Sequence, residues 1–226
     1  MGTGGISLHV SFLEIYNELI RDLLVLDGHE KVALELQEDP ARGMVVPHLT
    51  EIEIKSMEQI EDVLYLGNMR RTMASTGANL VSSRSHAILQ MTVTQSYPSP
   101  GGGRPTCRSS KLSLCGLAGS ERGANSDNRG ARAQEAAQIN RSLLSLANCI
   151  NALAEGQGAK NQGLPGATQR KRTIFVPYRD SKLTRLLKDS LGGNTMTFMI
   201  ANVSPATKCL EELRRRCDRE RRIRGI

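Results

Sequence analysis

Apolar and polar residues alternate from the start of the chain. Ile6, Leu8, Val10 and Phe12 are separated by Ser7, His9 and Ser11. A period of two puts the apolar set on one face of a β-strand. Residues 18–24 predict a short helix, with Asn17 as its cap. Residues 31–55 alternate again, with breaks at Asp39-Pro40 and Arg42-Gly43, and predict a small antiparallel meander. A helix follows from Ser56, carrying Ile60, Val63, Leu64 and Gly67 on one face, with Ser56 and Gln59 spaced as a capping box. A polar loop spans about 75–85. Leu89, Met91 and Val93 mark another strand, and the glycine-rich stretch 98–105 reads as a surface loop.

Residues 112–115 predict a short buried strand running into Gly116-Leu117-Ala118-Gly119. Residues 120–138 read as a polar loop that turns helical late. Ile139, Leu143, Leu146, Ala147, Ile150 and Leu153 then share a helical face that ends at Gly156. A linker-like insertion follows. Residues 181–191 predict an amphipathic helix, with Leu183, Leu186, Leu187 and Leu191 inward, Lys182, Arg185 and Lys188 outward, and Gly192-Gly193 as its stop. Residues 196–203 are almost continuously apolar, as in a central strand buried on both faces. An Arg-rich last helix is expected over 207–226. No internal repeat is visible. The element order predicts one α/β domain, a mixed central sheet flanked by helices on both faces.

Charge changes this picture more than composition does. The net charge of +7 is concentrated in two places. Residues 160–185 carry +6 and residues 211–226 carry +3, leaving −2 on the rest. Two basic patches on a mildly acidic body suit a polyanionic partner; for the tail, a merely solvated charged face is an equal alternative. The chain has no Trp, three Phe and four Tyr, which argues against an aromatic platform for single-stranded nucleic acid. No apolar run approaches the length of a membrane span. The first residues show neither a signal peptide nor the myristoylation pattern, since Ile6 stands where Ser or Thr is needed. Five cysteines, without CxxC spacing, suggest reduced thiols of a cytosolic protein rather than a disulfide framework or a zinc site.

The usual catalytic motifs are missing. There is no GxxxxGK[ST], HExxH or GxSxG, and the four histidines are isolated. Two loops carry the remaining chemistry. Asn79-Leu80-Val81-Ser82-Ser83-Arg84-Ser85-His86 precedes a strand and clusters hydroxyls and amides that could reach a phosphate or a metal-bound water. Gly116-Leu117-Ala118-Gly119-Ser120-Glu121-Arg122 follows a strand, where glycine lets a backbone N–H approach a phosphate. As isolated patterns, both loops read more readily as ordinary turns.

In combination the motifs are specific. SFLEIYNELIRDLL resembles the strand–helix signature of kinesin motor domains. NLVSSRSH resembles switch I of that family and GLAGSER resembles switch II. INRSLLSLANCINAL resembles the relay helix, and VPYRDSKLTRLLKDSLGGN the microtubule-binding loop and helix after it. The resemblance runs in the family's order over about 6–205, and is greatest for the plus-end-directed, length-controlling kinesin-eight subfamily.

The resemblance implies an incomplete kinesin-type P-loop NTPase fold over 1–226, with ATP and Mg²⁺ as cofactors and microtubules as partner. It implies a cytoplasmic, cytoskeletal location, no nucleic-acid partner and no membrane insertion. Ser83 would help hold Mg²⁺. Ser82 would position the γ-phosphate and attacking water, and Gly119 would donate its N–H to the γ-phosphate. Asn79 lies on the approach to switch I, and Arg84 and Glu121 would pair to close the switches. Phe175, Arg179, Lys182 and Arg185 would touch tubulin. Lys160, Arg170, Lys171 and Arg172 would add reach from a basic loop insertion at 156–172.

Three departures qualify the resemblance. The P-loop and adenine-binding regions, roughly the N-terminal third of the motor, have no counterpart. Gly116 stands where the family carries an Asp. Arg216 stands where an aromatic is usual, and no neck linker follows. Two expectations result: a motor fragment whose complete form hydrolyses ATP under microtubule stimulation, or a pseudo-motor that binds microtubules without turnover. The fragment by itself is expected to be inactive.

Overall fold

The computed structural model describes residues 5–25, 33–40, 42–73, 84–97, 106–119, 131–161, 175–193, 195–200 and 202; within 131–136 and 156–161 it describes the backbone alone. Two compact units emerge, one from Met1–Glu35 and Val46–Gly119, the other from Leu36–Val45 and Ser120–Ile226. The expected α/β class holds. Within the described residues every strand pairing is antiparallel.

The first unit is a sheet built around β1 (Ile6–Tyr16). β2 (Leu19–Asp22) and β5 (Ile52–Ile54) share one of its edges, and β6 (His86–Tyr97) lies on the other, with β7 (Thr106–Gly116) beyond it. The helix expected over 18–24 is instead the return strand of a hairpin. Asn17 and Glu18 have φ of 52° and 59°. Two left-handed residues in succession form the turn whose twist matches that of antiparallel strands, and Asn takes this conformation readily. Tyr16 then pairs with Leu19 and Ile15 with Ile20. Asp22 anchors the hairpin's end: its carboxylate accepts from the Leu24 and Thr50 amides at 2.8 and 2.7 Å.

One face of this sheet is covered by α1 (Met57–Met73). Val10, Phe12, Ile54, Ala87 and Leu89 from the strands pack with Leu23, Leu24 and Val63. Gly67 permits the close approach, because a Cβ there would lie 2.2 Å from Cδ1 of Phe12. The helix start is capped one residue earlier than the spacing predicts: Gln59 Oε1 accepts from the Lys55 amide at 2.7 Å, not from Ser56. The strand expected to be short and buried at 112–115 is an eleven-residue edge strand, with Leu112 and Leu114 about half exposed. Its apolar alternation is real, but β6 is its one partner among the described residues.

In the second unit, β3 (Gln37–Asp39) and β4 (Gly43–Val45) form a separate two-stranded hairpin. The expected meander over 31–55 is therefore split, since β5 joins the other sheet. The long helix α2 (Ala131–Asn161) buries Leu143, Leu146, Cys149 and Ile150. It begins at Ala131, within the stretch 120–138 expected to turn helical late. It also runs through Gly156 rather than ending there, so the first part of the expected 156–172 loop is helical. Each glycine inside a helix, here Gly156 and Gly158, costs only about 1 kcal/mol, and Glu155, Gln157, Ala159 and Lys160 favour helix around them.

Against α2 pack a 3₁₀ turn (Tyr178–Asp180) and α3 (Lys182–Leu186), followed by α4 (Lys188–Gly192). Ser181 caps α3, its Oγ accepting from the Leu183 amide at 3.0 Å. The single helix expected over 181–191 is thus two short ones that meet at Leu187; Leu183 and Leu186 are buried as anticipated. Residues 196–200 form no strand, and Met196, Phe198 and Ile200 are each more than 80% exposed. An apolar run becomes a buried strand only when neighbouring strands take up its backbone bonds, and no described strand pairs with this one. The Arg-rich stretch 207–226 lies outside the described residues.

Candidate functional site

The inner ends of both candidate loops belong to the first unit. Asn79, Ser82, Ser83 and Glu121 lie outside the described residues, and with them the expected pairing of Arg84 with Glu121. Arg84 is half-buried, two residues before β6 begins, and Gly119 is half-buried three residues after β7 ends. The strand ladder stops with the pair Ala87 and Gly116. One step further, the ring of His86 takes over from the backbone: Nδ1 accepts from the Ala118 amide at 3.0 Å. Both residues are buried. Burial pushes the imidazole pKa down to about 4, so the ring is neutral. With Nδ1 accepting, Nε2 carries the proton.

A second contact set holds the same strand end. Arg71, in the last turn of α1, donates from Nη2 to Ser85 Oγ at 3.3 Å, and its Nε lies 3.5 Å from Glu14 Oε1 on β1. Glu14 is fully buried and sits opposite Ala87 in the ladder. A buried carboxylate and guanidinium must compensate each other's desolvation, so removing either one leaves the other exposed to that cost. No sequence pattern singles out Glu14, Arg71 or the role of His86. The signal available for Glu14 is an acid flanked by Phe12, Leu13 and Ile15; His86 closes a motif, and its role follows only from its bond to Ala118.

Gly116 is the position where the resemblance implies an Asp. It is extended, and a Cβ built there would find only ordinary contacts, the nearest being Ala87 O at 3.8 Å. Sterics at the Cβ therefore do not require glycine here. As it stands, position 116 supplies no side-chain oxygen for a metal's water shell. Among the described residues no group of three or more His, Cys, Asp or Glu is arranged to hold a metal.

The second unit carries the basic face. Phe175 is 83% exposed and Arg179 is exposed, whereas Lys182 and Arg185 are half-buried on α3. Lys160 lies on the last turn of α2, and Arg170, Lys171 and Arg172 lie outside the described residues. The structure adds two residues that sequence spacing had not linked. Lys188 Nζ donates to Glu38 Oε1 at 2.6 Å, across 150 positions of sequence. That hydrogen bond and the lysine's charge lower the Glu38 pKa, helped by the fields of Arg179 and Arg185. Glu38 thus sits as an acid among the cations. Next to it, Asp189 Oδ2 accepts from the Met44 amide at 3.2 Å and fixes the β3–β4 hairpin to α4. Gly43, with φ of 73°, leaves room for that carboxylate, which a Cβ would meet at 2.2 Å.

The family description "Kinesin motor domain" matches residues 3–218. Kinesin-like protein 5 of Schizosaccharomyces pombe is 48% identical over 206 residues, covering 91% of this chain and 22% of that protein. Kinesin-like protein KIN-8B of Arabidopsis thaliana is 47% identical over 197 residues, 87% of this chain and 22% of that protein. Among solved structures, a KIF14 dimer in a two-heads-bound state, with AMP-PNP and in complex with a microtubule, superposes with a TM-score of 0.82 at 37% identity. It covers all of this chain, which spans 60% of that one. A structure of a fast kinesin gives 0.79 at 36%, with 58% of its length spanned. The chain therefore spans about a fifth of these curated relatives and three fifths of these solved structures.

Proposed function

The chain belongs to the kinesin motor domain family, and on that premise we propose that it is the track-binding and switch portion of a microtubule-based motor. The observation that carries the reading is the basic face of the second unit. Phe175 and Arg179 are exposed there and Lys182 and Arg185 partly so, in a stretch with a local charge of +6. Such a field attracts an acidic surface over a distance, and salt weakens it. Lys160, Arg170, Lys171 and Arg172 extend the attraction. A nucleic-acid reading is weaker, because no nucleic-acid motif accompanies the charge.

For the switch loops we assign Ser82 and Gly119 to the γ-phosphate, Ser83 to Mg²⁺ and Asn79 to the approach. Arg84 and Glu121 are assigned as the pair that closes the site. These residues do not fit Mg·ATP by themselves. The 226 residues contain no GxxxxGK[ST], so no cradle of amides with its Lys is present to hold the phosphates. Gly116 supplies no carboxylate to the metal. ATP turnover thus requires a P-loop-bearing segment joined to this one. Gly116 favours a second reading, a pseudo-motor that binds microtubules without hydrolysis.

Microtubule co-sedimentation of the purified chain across a salt series tests the proposal. Wild type should bind at low salt and release progressively as salt rises. Neutralising Lys160, Arg170, Lys171 and Arg172 together should weaken binding mainly at low salt. Equal retention on DNA at matched salt, or binding indifferent to salt, would overturn the track-binding reading.

A further inference from the structure

The Ala118 amide lies two residues beyond the last pair of the β6–β7 ladder, and a side chain satisfies it. The imidazole of His86 reaches over 32 positions of sequence and accepts at 3.0 Å, with both residues buried. Ser85, immediately before it, is held by Arg71. The loop that ends at Arg84 and the segment that leads to Gly119 are therefore joined at one point. We propose that His86 is a positioning residue, a latch whose Nδ1 fixes the Leu117-Ala118-Gly119 backbone to the first residue of β6. It thereby sets where the Gly119 N–H stands relative to Arg84 and the start of β6. The inference deepens the switch assignment of the preceding subsection and rests on it for its functional consequence.

The geometry distinguishes a latch from simple packing. A buried amide whose acceptor is removed loses its bond and gains no solvent in exchange. Asn places its Oδ1 close to where the imidazole holds Nδ1, whereas the Gln carbonyl reaches to the Nε2 position. A latch predicts that Asn substitutes and Gln does not. A residue that only fills space would be served better by the larger Gln.

The test is amide hydrogen exchange on the whole chain for wild type, His86→Ala, His86→Gln and His86→Asn. The Leu89 and Leu114 amides of the strand ladder report overall stability. His86→Ala and His86→Gln should lower protection of Ala118 by about tenfold or more relative to those ladder amides. His86→Asn should restore most of it. Equal protection of Ala118 in all four proteins, or rescue by Gln rather than Asn, overturns the latch. A nitrogen-15 spectrum showing the proton on Nδ1 of His86 would overturn it independently. In a protein joined to a P-loop segment, His86→Ala should lower kcat with little change in KM for ATP, and His86→Asn should recover it. Lost protection with unchanged kcat would overturn the positioning role. A joined wild type without turnover would count against the functional reading, while the exchange data would still decide the latch.

Discussion

The two units hold their candidate residues in different ways. In the first, the inner ends of the loops are tied by buried polar contacts: His86 to Ala118, Arg71 to Ser85, and Arg71 beside Glu14. In the second, the cations stand at the surface of short helices, and the acid that answers them, Glu38, is exposed. Buried polar contacts are specific and costly to break, whereas exposed charges are forgiving, long-ranged and sensitive to salt. Phosphoryl-transfer chemistry needs atoms held to fractions of an ångström; capture of a polyanion needs only a field. The division matches the proposed split between switch and track-binding roles.

The largest expected effect concerns what the first unit lacks. Purified chain should release no phosphate from ATP above background, with or without microtubules. Gly116→Asp alone should not change that, because the phosphates would still have no cradle. Joined to a P-loop-bearing segment, Gly116→Asp should raise Mg²⁺-dependent turnover on the order of a hundredfold, the scale of one well-placed electrostatic group. The free space around Gly116 makes the substitution sterically mild. Microtubule-stimulated phosphate release by the unmodified chain would remove the contrast between the units.

Packing is the next lever. Gly67→Ala drives a methyl into Phe12, with 2.2 Å between Cβ and Cδ1. Either α1 or the ring must move, at a cost of up to about 3 kcal/mol. Urea unfolding should show a lower midpoint with an unchanged slope, while salt-dependent microtubule binding by the folded protein stays as it was. A midpoint equal to that of wild type would mean that α1 is not seated against β1 as described.

These effects reach beyond what pattern reading supplies. The strands of β1 and β6, the helix α1 and the buried face of α2 follow from periodicity, because in each the apolar positions recur at one element's spacing. The β2 strand did not, since its seven-residue window has a helix-like composition and only the left-handed pair at Asn17 and Glu18 decides for a hairpin. Residues 196–200 show the converse: the apolar run carries strand propensity, but a ladder needs a neighbour. The motif loops were legible as family signatures. The contacts that position them were not, because His86–Ala118 and Glu38–Lys188 join residues 32 and 150 positions apart and leave no local spacing to read.

Acid should weaken the first unit through His86. Unfolded, the imidazole titrates near 6.5; folded, burial lowers it to about 4. Above pH 6.5 both states are neutral and the contribution is whole. Between 6.5 and 4 the unfolded chain binds a proton that the folded chain does not, so stability is lost as pH falls. Between pH 7 and pH 5 the loss is about 2 kcal/mol. His86→Asn, which cannot titrate, should lose less by that amount in paired urea titrations. Parallel losses in both proteins would show that His86 is not held neutral.

The smallest effect, and the one that most directly probes the second unit, is Glu38→Gln. The acid bonds Lys188 and lies in the field of Arg179 and Arg185, so it offsets part of the charge that the proposed track would meet. Because Glu38 is exposed, solvent already screens it, and its loss should scarcely move the folding midpoint. Microtubule affinity should instead rise, by about two- to threefold at low ionic strength, because one negative charge leaves a surface approached by an acidic partner. At 1 M salt the Debye length is about 3 Å and the gain should vanish. Co-sedimentation of wild type and Glu38→Gln at matched low and high salt separates the possibilities. Weaker binding at low salt would mean that Glu38 serves by fixing Lys188 in place, and that the second unit, like the first, depends on positioned contacts rather than on its field.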